Sequence, residues 1–230
     1  MKKFLLLLLI ITGLSYGKIG QGLSFDGVND YVQVNTTGAG TTNTVTLSAW
    51  IKLPSLTGYD PIVYEYPNDS KGLAISGAPG NPLAYSWMNS IDEYEAATGL
   101  TISTEVWHFI ALVITPTAAT VYLDGASWTN IKTHTSKNMN VPFYFAYDGG
   151  TRYLPGLIDE VRVYNRALSA TEVRQVYYGI PTTQYGLVGH WQLLGTSNNF
   201  APDISGKKNH GTLTNGPVRG ALSKALKFRR

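Results

Sequence analysis

Trp107-His-Phe-Ile-Ala-Leu-Val-Ile-Thr115 is the stretch whose reading decides the fold. Successive side chains of a strand point to opposite faces. Here both faces are apolar, with Phe109, Ala111 and Val113 on one and Ile110, Leu112 and Ile114 on the other. Such a strand must be covered on both sides, as in the middle of a sandwich. Upstream, Thr44-Val-Thr-Leu-Ser-Ala-Trp-Ile-Lys52 alternates strictly. Val45, Leu47, Ala49 and Ile51 share one face, and Thr46, Ser48, Trp50 and Lys52 the other, which predicts a half-buried strand. Downstream, Ala119–Leu123 follows Pro116 and runs into Asp124-Gly125, a tight-turn pair in which glycine takes the positive φ. Further strands are predicted at Gly22–Phe25, Tyr31–Val34, Pro61–Tyr66, Leu73–Ser76, Leu83–Trp87, Phe143–Tyr147 and Gly156–Tyr164. Roughly ten short strands between turn clusters predict an all-β fold, a two-sheet antiparallel sandwich of the jelly-roll kind.

One short helix is signalled near the end of this region. Ser169-Ala-Thr-Glu172 is a capping box: the serine oxygen takes an amide proton and the glutamate reaches back to the amide of the cap. Val173, Val176 and Tyr177 form its apolar face, and Gly179 followed by Pro181 ends it.

The chain of 230 residues opens on Lys2 and Lys3, continues with the apolar run Phe4–Leu14 broken only by Thr12 and Gly13, and then places small residues at Ser15 and Gly17. That order predicts a secretory signal peptide over residues 1–17. The run is too short to span a bilayer, which takes about 20 apolar residues. The expectation is therefore a secreted, extracellular or cell-surface protein with no membrane span after cleavage. There is no cysteine, so stability must come from the core or from bound metal rather than disulfides. A net charge of +3 with scattered basic residues argues against nucleic acid, and Lys224, Lys227, Arg229 and Arg230 read as a basic tail. The 15 tyrosines and 24 glycines favour strands and turns over helices.

The C-terminal part has its own pattern. Gly186-Leu-Val-Gly-His-Trp191 reads as a new strand, and Asp203-Ile-Ser-Gly206 and Asn209-His-Gly211 are turn-rich. Gly220-Ala-Leu-Ser-Lys-Ala-Leu-Lys-Phe228 echoes Gly17-Lys-Ile-Gly-Gln-Gly-Leu-Ser-Phe25 at a fixed offset of 203 residues, a repeat with the period of a whole domain.

Five segments in order, Gly22-Leu-Ser-Phe-Asp-Gly-Val-Asn-Asp-Tyr-Val32, Leu47-Ser-Ala-Trp-Ile51, Trp107-His-Phe-Ile-Ala-Leu-Val113, Val121-Tyr-Leu-Asp-Gly125 and Gly156-Leu-Ile-Asp-Glu-Val-Arg-Val-Tyr-Asn-Arg-Ala-Leu-Ser169, together resemble the laminin-G-like domains of the concanavalin A-like lectin and glucanase superfamily. The resemblance implies a jelly roll of two antiparallel sheets, secreted or surface-borne, that binds glycans or proteins and often holds a structural calcium. The stretch from Gly186 resembles the start of the same kind of domain. Residues 18–180 are therefore expected to form a jelly roll lacking its usual first strand. Residues 181–230 are either the start of a second unit or a strand that folds back to complete the first. Folding back is favoured, because an unfinished start would leave apolar strands with open edges.

Candidate sites follow. In Leu157-Ile-Asp-Glu-Val161, alternation puts Asp159 on the face of Leu157, Val161 and Val163, where a carboxylate must be paired or ligated. Asp26 follows the Phe25 strand. The resemblance implies that aspartates at these two places contribute to a calcium site, and Asp30 is a third candidate. The alternatives are a turn aspartate at Asp26, an Asn29-Asp30 hairpin turn, and an Asp159 paired with Arg162 or Arg166. No Glu-x-Asp-x-x-Glu strand places a glucanase's two carboxylates on one face, and Asp92-Glu-Tyr-Glu95 has neither that order nor an apolar setting. His-Glu-x-x-His is also missing. A non-catalytic protein is expected. For a ligand face, Tyr64, Tyr66, Tyr85, Trp87 and Tyr94, with Tyr59 and Asn89 nearby, combine flat aromatic surfaces with an amide, as sugar binding requires. Ordinary sheet packing competes for Tyr85 and Trp87, and Trp50, Trp107 and Trp191 read as core. The expected function is a secreted binding module for glycans or extracellular proteins. Its alternatives are a glucanase-type glycoside hydrolase and a structural repeat unit of a larger surface or virion protein.

Overall fold

The computed structural model describes residues 21–35, 38–56, 58–65, 70–88, 95–180, 184–194 and 199–219. The expected signal peptide and the echo at Gly220–Phe228 lie outside the described residues. In chain order the elements are β1 (Leu23–Asp26), β2 (Tyr31–Val34), β3 (Thr41–Thr42), β4 (Val45–Lys52), β5 (Asp60–Glu65), β6 (Lys71–Ile75), β7 (Pro82–Trp87), β8 (Glu95–Thr101), β9 (His108–Thr115), β10 (Ala118–Leu123), β11 (Ala126–Ile131), β12 (Lys137–Asn138), β13 (Phe143–Phe145), β14 (Pro155–Tyr164), α1 (Ala170–Tyr177), β15 (Leu187–Trp191), β16 (Phe200–Ala201), β17 (Gly211–Thr214) and β18 (Val218–Arg219). Sheet I runs β11-β10-β9-β4-β14-β1-β18 with β15 also on β14, and sheet II runs β16-β17-β2-β13-β5-β6-β7-β8. All pairings are antiparallel, and a small β3–β12 pair lies apart from both sheets.

The two sheets face each other across one apolar core. Ile110, Leu112 and Ile114 of β9 and Val45, Leu47, Ala49 and Ile51 of β4 meet Val32, Val34, Leu73, Ile75, Phe143 and Phe145 of sheet II. The opposite face of β9, with Phe109, Ala111 and Val113, belongs to a second cluster under α1, whose Val173 and Val176 pack there with Trp50 and Tyr164. That is why β9 is apolar on both sides. The helix also covers the outer face of β4. Thr46, Ser48 and Trp50 are buried there, so β4 is buried on both faces rather than half-buried. Thr46 donates its hydroxyl to the Arg166 carbonyl at 2.9 Å and accepts the Leu168 amide at 3.0 Å, and Trp50 stacks on Tyr177 at 5.6 Å.

The capping box of α1 is present: Ser169 N–H donates to Glu172 at 2.8 Å and Glu172 N–H donates to Ser169 Oγ at 3.3 Å. The guanidinium of Arg166, joined to Glu172 at 2.6 Å, holds that carboxyl down at about 2, helped by the Ser169 amide.

β14 is the organising strand. Its first half, Pro155–Ile158, pairs with β1, and its second half, Val161–Tyr164, pairs with β15. Between the halves the ladder to β4 slips at a bulge, where Glu160 adopts φ +52°. The slip resets the alternation. Ile158, Val161 and Val163 face the core, so Leu157 does not share their face as strict alternation predicts. The stretch from Gly186 contributes β15 to β14, β17 to β2 and β18 to β1. Trp191, fully buried, meets Phe145 of sheet II at 5.2 Å and donates its ring N–H to the Asn209 carbonyl at 2.9 Å. Its ring folds back over Gly189, where a Cβ would lie 2.0 Å from it.

The β9–β10 hairpin is closed by a polar clamp. Asp124 accepts the Phe109 amide at 2.7 Å and meets His108 Nδ1 at 2.6 Å. The hydrogen bond to Asp124 raises the His108 pKa above its ordinary value, against the opposing pull of burial. A raised folded-state pKa gives stabilisation that is full below the ordinary histidine value, about 6.5, and is lost as pH rises through the raised value.

Two outcomes are expected. In thermal melts, the stability gap between wild type and His108→Gln narrows as pH rises from about 6 to about 9; a gap that widens removes the clamp. In urea titrations, Trp191→Ala lowers stability by about 3–5 kcal/mol, as for other large-to-small core changes, whereas an autonomous tail would leave the midpoint of the main domain unchanged.

Candidate functional site

On sheet II, alternation that turns Val32, Val34, Phe143 and Phe145 inward turns Tyr31, Gln33 and Tyr144 outward. Register then aligns one outward row across six strands: Thr212, Gln33, Tyr144, Tyr64, Gly72 and Ser86, each opposite the next. Tyr64, Gly72 and Ser86 are buried, so at about 4.8 Å per strand the accessible part, Thr212, Gln33 and Tyr144, is roughly 10 Å long. Around its middle lie more rings. Tyr31 is 5.9 Å from Tyr144 and 4.8 Å from Tyr147, and Tyr147 stacks on Tyr153 at 4.6 Å and 9°. Tyr144 meets Tyr147 edge-on at 5.2 Å. Tyr59 stands edge-on to Tyr64 at 6.2 Å and carries the Arg152 guanidinium over its face at 4.7 Å.

Local chemistry fixes this cluster. Asp148 accepts the amides of Gly150 at 2.7 Å and Arg152 at 3.2 Å, which bends the chain so that Tyr147 and Tyr153 bridge. Tyr147 donates its hydroxyl to the Gly150 carbonyl at 2.9 Å. Burial first, and then the hydrogen bond to Tyr153, push the Tyr147 hydroxyl up to about 12, so it stays protonated at any ordinary pH. Tyr59 donates to Tyr64 and Tyr64 donates to Ser86 Oγ, both at 2.8 Å. Gly72 has φ +149°, and a Cβ there would lie 2.9 Å from the Tyr64 ring and 2.1 Å from the Val63 carbonyl; the glycine is what lets that ring lie down on the sheet. The rings of Tyr31, Tyr59, Tyr144, Tyr147 and Tyr153 are half-buried, rigid and amphipathic, the properties of a recognition surface.

The aromatics expected from the sequence to form a ligand face are distributed differently. Tyr85 and Trp87 point into the core between the sheets, because β7 turns Leu83, Tyr85 and Trp87 inward and only Ala84 and Ser86 outward. Their polar atoms are satisfied inside: Asn130 donates to the Tyr85 hydroxyl at 2.8 Å and Trp87 donates to the Thr135 carbonyl at 2.9 Å. They are core residues and not a ligand face. Tyr64 belongs to the outward row but is only 4% exposed, so it is a floor for the other rings. Tyr66, Asn89 and Tyr94 lie outside the described residues. Sequence reasoning missed Tyr31, Tyr144, Tyr147 and Tyr153, although the alternation in Tyr31-Val-Gln-Val34 and Phe143-Tyr-Phe145 is the signal that marks the first two.

The three aspartates considered for calcium do not converge. Asp26 Oδ1 accepts the amides of Val28, Asn29 and Asp30 at 2.8–3.4 Å, and Asp30 accepts the Asp26 amide at 3.2 Å, so the pair closes a turn. These amides, led by Val28, hold the Asp26 pKa down, while burial raises that of Asp30. Asp26 lies opposite Pro155, and Asp159 is four positions further along β14, roughly 13 Å at strand spacing. Asp159, fully buried, accepts the amides of Glu160 at 2.7 Å and Leu193 at 3.0 Å, tying the end of β15 across the bulge. Among the described residues no group of three or more His, Asp or Glu is placed to hold a metal, and these three do not fit a calcium site.

Ser103, His108 and Asp124 form a hydroxyl–imidazole–carboxylate chain, with 3.0 Å from Ser103 Oγ to Nε2 and 2.6 Å from Nδ1 to Asp124. Nucleophilic catalysis also needs a pair of donors for the oxyanion and space for a substrate. Here the same Nε2 lies 3.2 Å from the Ser103 amide and 3.1 Å from its carbonyl, so the imidazole is engaged by the backbone of its own partner. The chain is a hairpin clamp.

Among the described residues no helix is long and apolar enough to cross a membrane. A search of curated protein sequences finds no match. Solved structures do match. A Bacteroides ovatus protein provisionally assigned as carbohydrate-binding superposes with a TM-score of 0.69 at 18% identity over 89% of this chain, which spans 60% of that protein's length. Domain 4 of AbnA, an extracellular GH43 arabinanase from Geobacillus stearothermophilus solved in complex with arabinotriose, gives 0.57 at 26% identity over 70% of this chain and 78% of that one. A SAP-like pentraxin of Limulus polyphemus gives 0.63 at 13% identity over 89% of this chain and 96% of that one. The profile of the Laminin_G_3 family matches residues 26–174. With the sandwich, the helix-covered sheet and this match over more than half its length, the chain belongs to the laminin-G-like family of the concanavalin A-like lectin/glucanase superfamily.

Proposed function

We propose that this protein is a non-catalytic carbohydrate-binding module whose ligand, a glycan chain, lies along the tyrosine row on the outer face of sheet II. The observation that carries the reading is the packing of Tyr31, Tyr144, Tyr147 and Tyr153 into one half-buried cluster beside Gln33 and Thr212. Sugar rings present apolar C–H faces to aromatic rings and hydroxyls to amides and hydroxyls, and this surface offers both. Rings already held by one another lose little freedom on binding, which favours affinity. The 26% identical arabinanase domain held with arabinotriose supports a sugar ligand, as does the assignment of the Bacteroides ovatus protein. The apolar run before Gly17 supports secretion, where such polymers are met.

Affinity gels loaded with arabinan, xylan or β-glucan test the reading. At least one polymer is expected to retard the wild type, and Tyr144→Ala and Tyr153→Ala to weaken retardation about tenfold, a loss near 1.4 kcal/mol, with thermal melts confirming the fold. Retardation that persists in both variants, or is never seen, removes the glycan face; capture of an extracellular protein that these variants abolish would instead make the surface a protein-binding one. No divalent cation is required by this geometry, so melts in EDTA and in calcium are expected to coincide. A stabilisation by calcium would restore a metal to the account, about 2.7 kcal/mol at a hundredfold excess over its dissociation constant.

A further inference from the structure

A second site, recessed and with a different lining, lies at the seam between the Asn165–Arg166 turn and the C-terminal strands. It is a cavity of about 600 Å³, within the range of small-molecule sites. Its polar lining consists of Asn165, Arg166, Gln184, Tyr185, Lys207 and Asn209, and no aspartate or glutamate lines it among the described residues.

The rim is built, not incidental. Asn165 donates its amide to the Gly186 carbonyl at 2.8 Å, and Arg166 Nε donates to the Tyr185 carbonyl at 2.8 Å. Gly186 has φ +75°, and a Cβ there would sit 2.9 Å from the Arg166 side chain, so a glycine is required for the arginine stem to lie against the backbone. That arrangement places the Arg166 guanidinium 5.3 Å from the Tyr185 ring centre while the tyrosine remains 76% exposed. An exposed aromatic held against a guanidinium costs surface energy and gains nothing in the core, which points to a use outside it. The opposite wall is also anchored: Asn209 donates its side-chain N–H to the Val188 carbonyl at 2.7 Å.

Charge gives the ligand class. The Arg166 guanidinium is already matched by Glu172 at 2.6 Å. Lys207 is exposed, and no carboxylate of the described residues pairs with it. The lining therefore presents one uncompensated cation, three amide side chains and one exposed ring. We propose that this seam cavity binds an acidic saccharide unit, its ring against Tyr185, its hydroxyls among the amides of Asn165, Gln184 and Asn209, and its carboxylate or sulfate toward Lys207. The site is separate in chemistry from the tyrosine row, whose six aligned residues carry no charge.

Titration calorimetry with polygalacturonate, dextran sulfate and a neutral β-glucan tests this on the whole protein. Lys207→Glu and Tyr185→Ala change exposed side chains and are expected to fold; Lys208→Glu, an exposed neighbour outside the lining, is the control. At least one of the two polyanions is expected to bind the wild type, with affinity falling about tenfold or more in Lys207→Glu and Tyr185→Ala and little in Lys208→Glu. Binding of polygalacturonate alone identifies a carboxylate ligand, and of dextran sulfate alone a sulfate. An equal loss in Lys207→Glu and Lys208→Glu means general charge attraction and overturns the proposal, as does an unchanged affinity or no binding of either polyanion. Tyr153→Ala is expected to leave polyanion binding intact, and Lys207→Glu to leave any neutral-polymer binding intact, so failure at one site is readable separately from failure at the other.

Discussion

The structure depends on a single dislocation in one strand. On one side β14 pairs with β4 before and after a register slip, from Leu157 to Asp159 and from Arg162 to Tyr164, yet on its other side it serves two strands from opposite ends of the described chain. The bulge at Asp159–Glu160 makes this possible. It interrupts the ladder where β1 ends and β15 begins, and it buries a carboxylate that needs partners at that point. Asp159 finds them in the amides of Glu160 and Leu193, so the same carboxylate that caps the bulge also fastens the incoming strand. A buried acid that could have been read as a metal ligand is thus explained by the backbone it joins.

Around that strand the two sheets divide the work. Sheet I has its outer face closed by α1 and by the chain that leads to it, which makes β4 and β9 apolar or fully engaged on both sides. On sheet II the outward positions are tyrosines, small residues and uncharged polar groups; Tyr64, Gly72 and Ser86 are buried there, while Tyr144, Gln33 and Thr212 reach the surface. Sheet I gives much of its outer face to packing under α1, and sheet II carries the tyrosine cluster proposed as the ligand face. The seam cavity arises from the same division, because it lies where the segment leaving sheet I returns along β15.

Much of the architecture was legible in the residues, and the reasons are specific. Trp107–Thr115 declared a doubly covered strand because both alternating sets are apolar, and the Ser169–Glu172 capping box declared the helix through two short-range hydrogen bonds. β11 was not legible, since Ala126–Ile131 is a largely exposed edge strand with polar residues on both faces. The cover over β4 depends on residues about 120 positions away and leaves no local trace. The bulge was equally invisible, because a glutamate at positive φ has no compositional mark. The inward placement of Tyr85 and Trp87 was not legible for a related reason. Tyr85 and Trp87 alternate with Ala84 and Ser86, and local sequence does not say which set faces the core; the large set does. The surface tyrosine cluster joins Tyr31 to Tyr144, Tyr147 and Tyr153, which the β2–β13 pairing brings together.

The placement of β1 has a consequence for how the chain acquires its shape. Its partners are residues 155–158 and 218–219, and the neighbours of β2 are residues 143–145 and 211–214. Pairings this distant require large loops to close before they return any energy, which slows folding. Neither of the first two strands can finish its ladder until the chain has been made nearly to Arg219. The closing of β1 and β2 against strands this far along the chain is therefore the loop-limited, slow part of forming the sandwich.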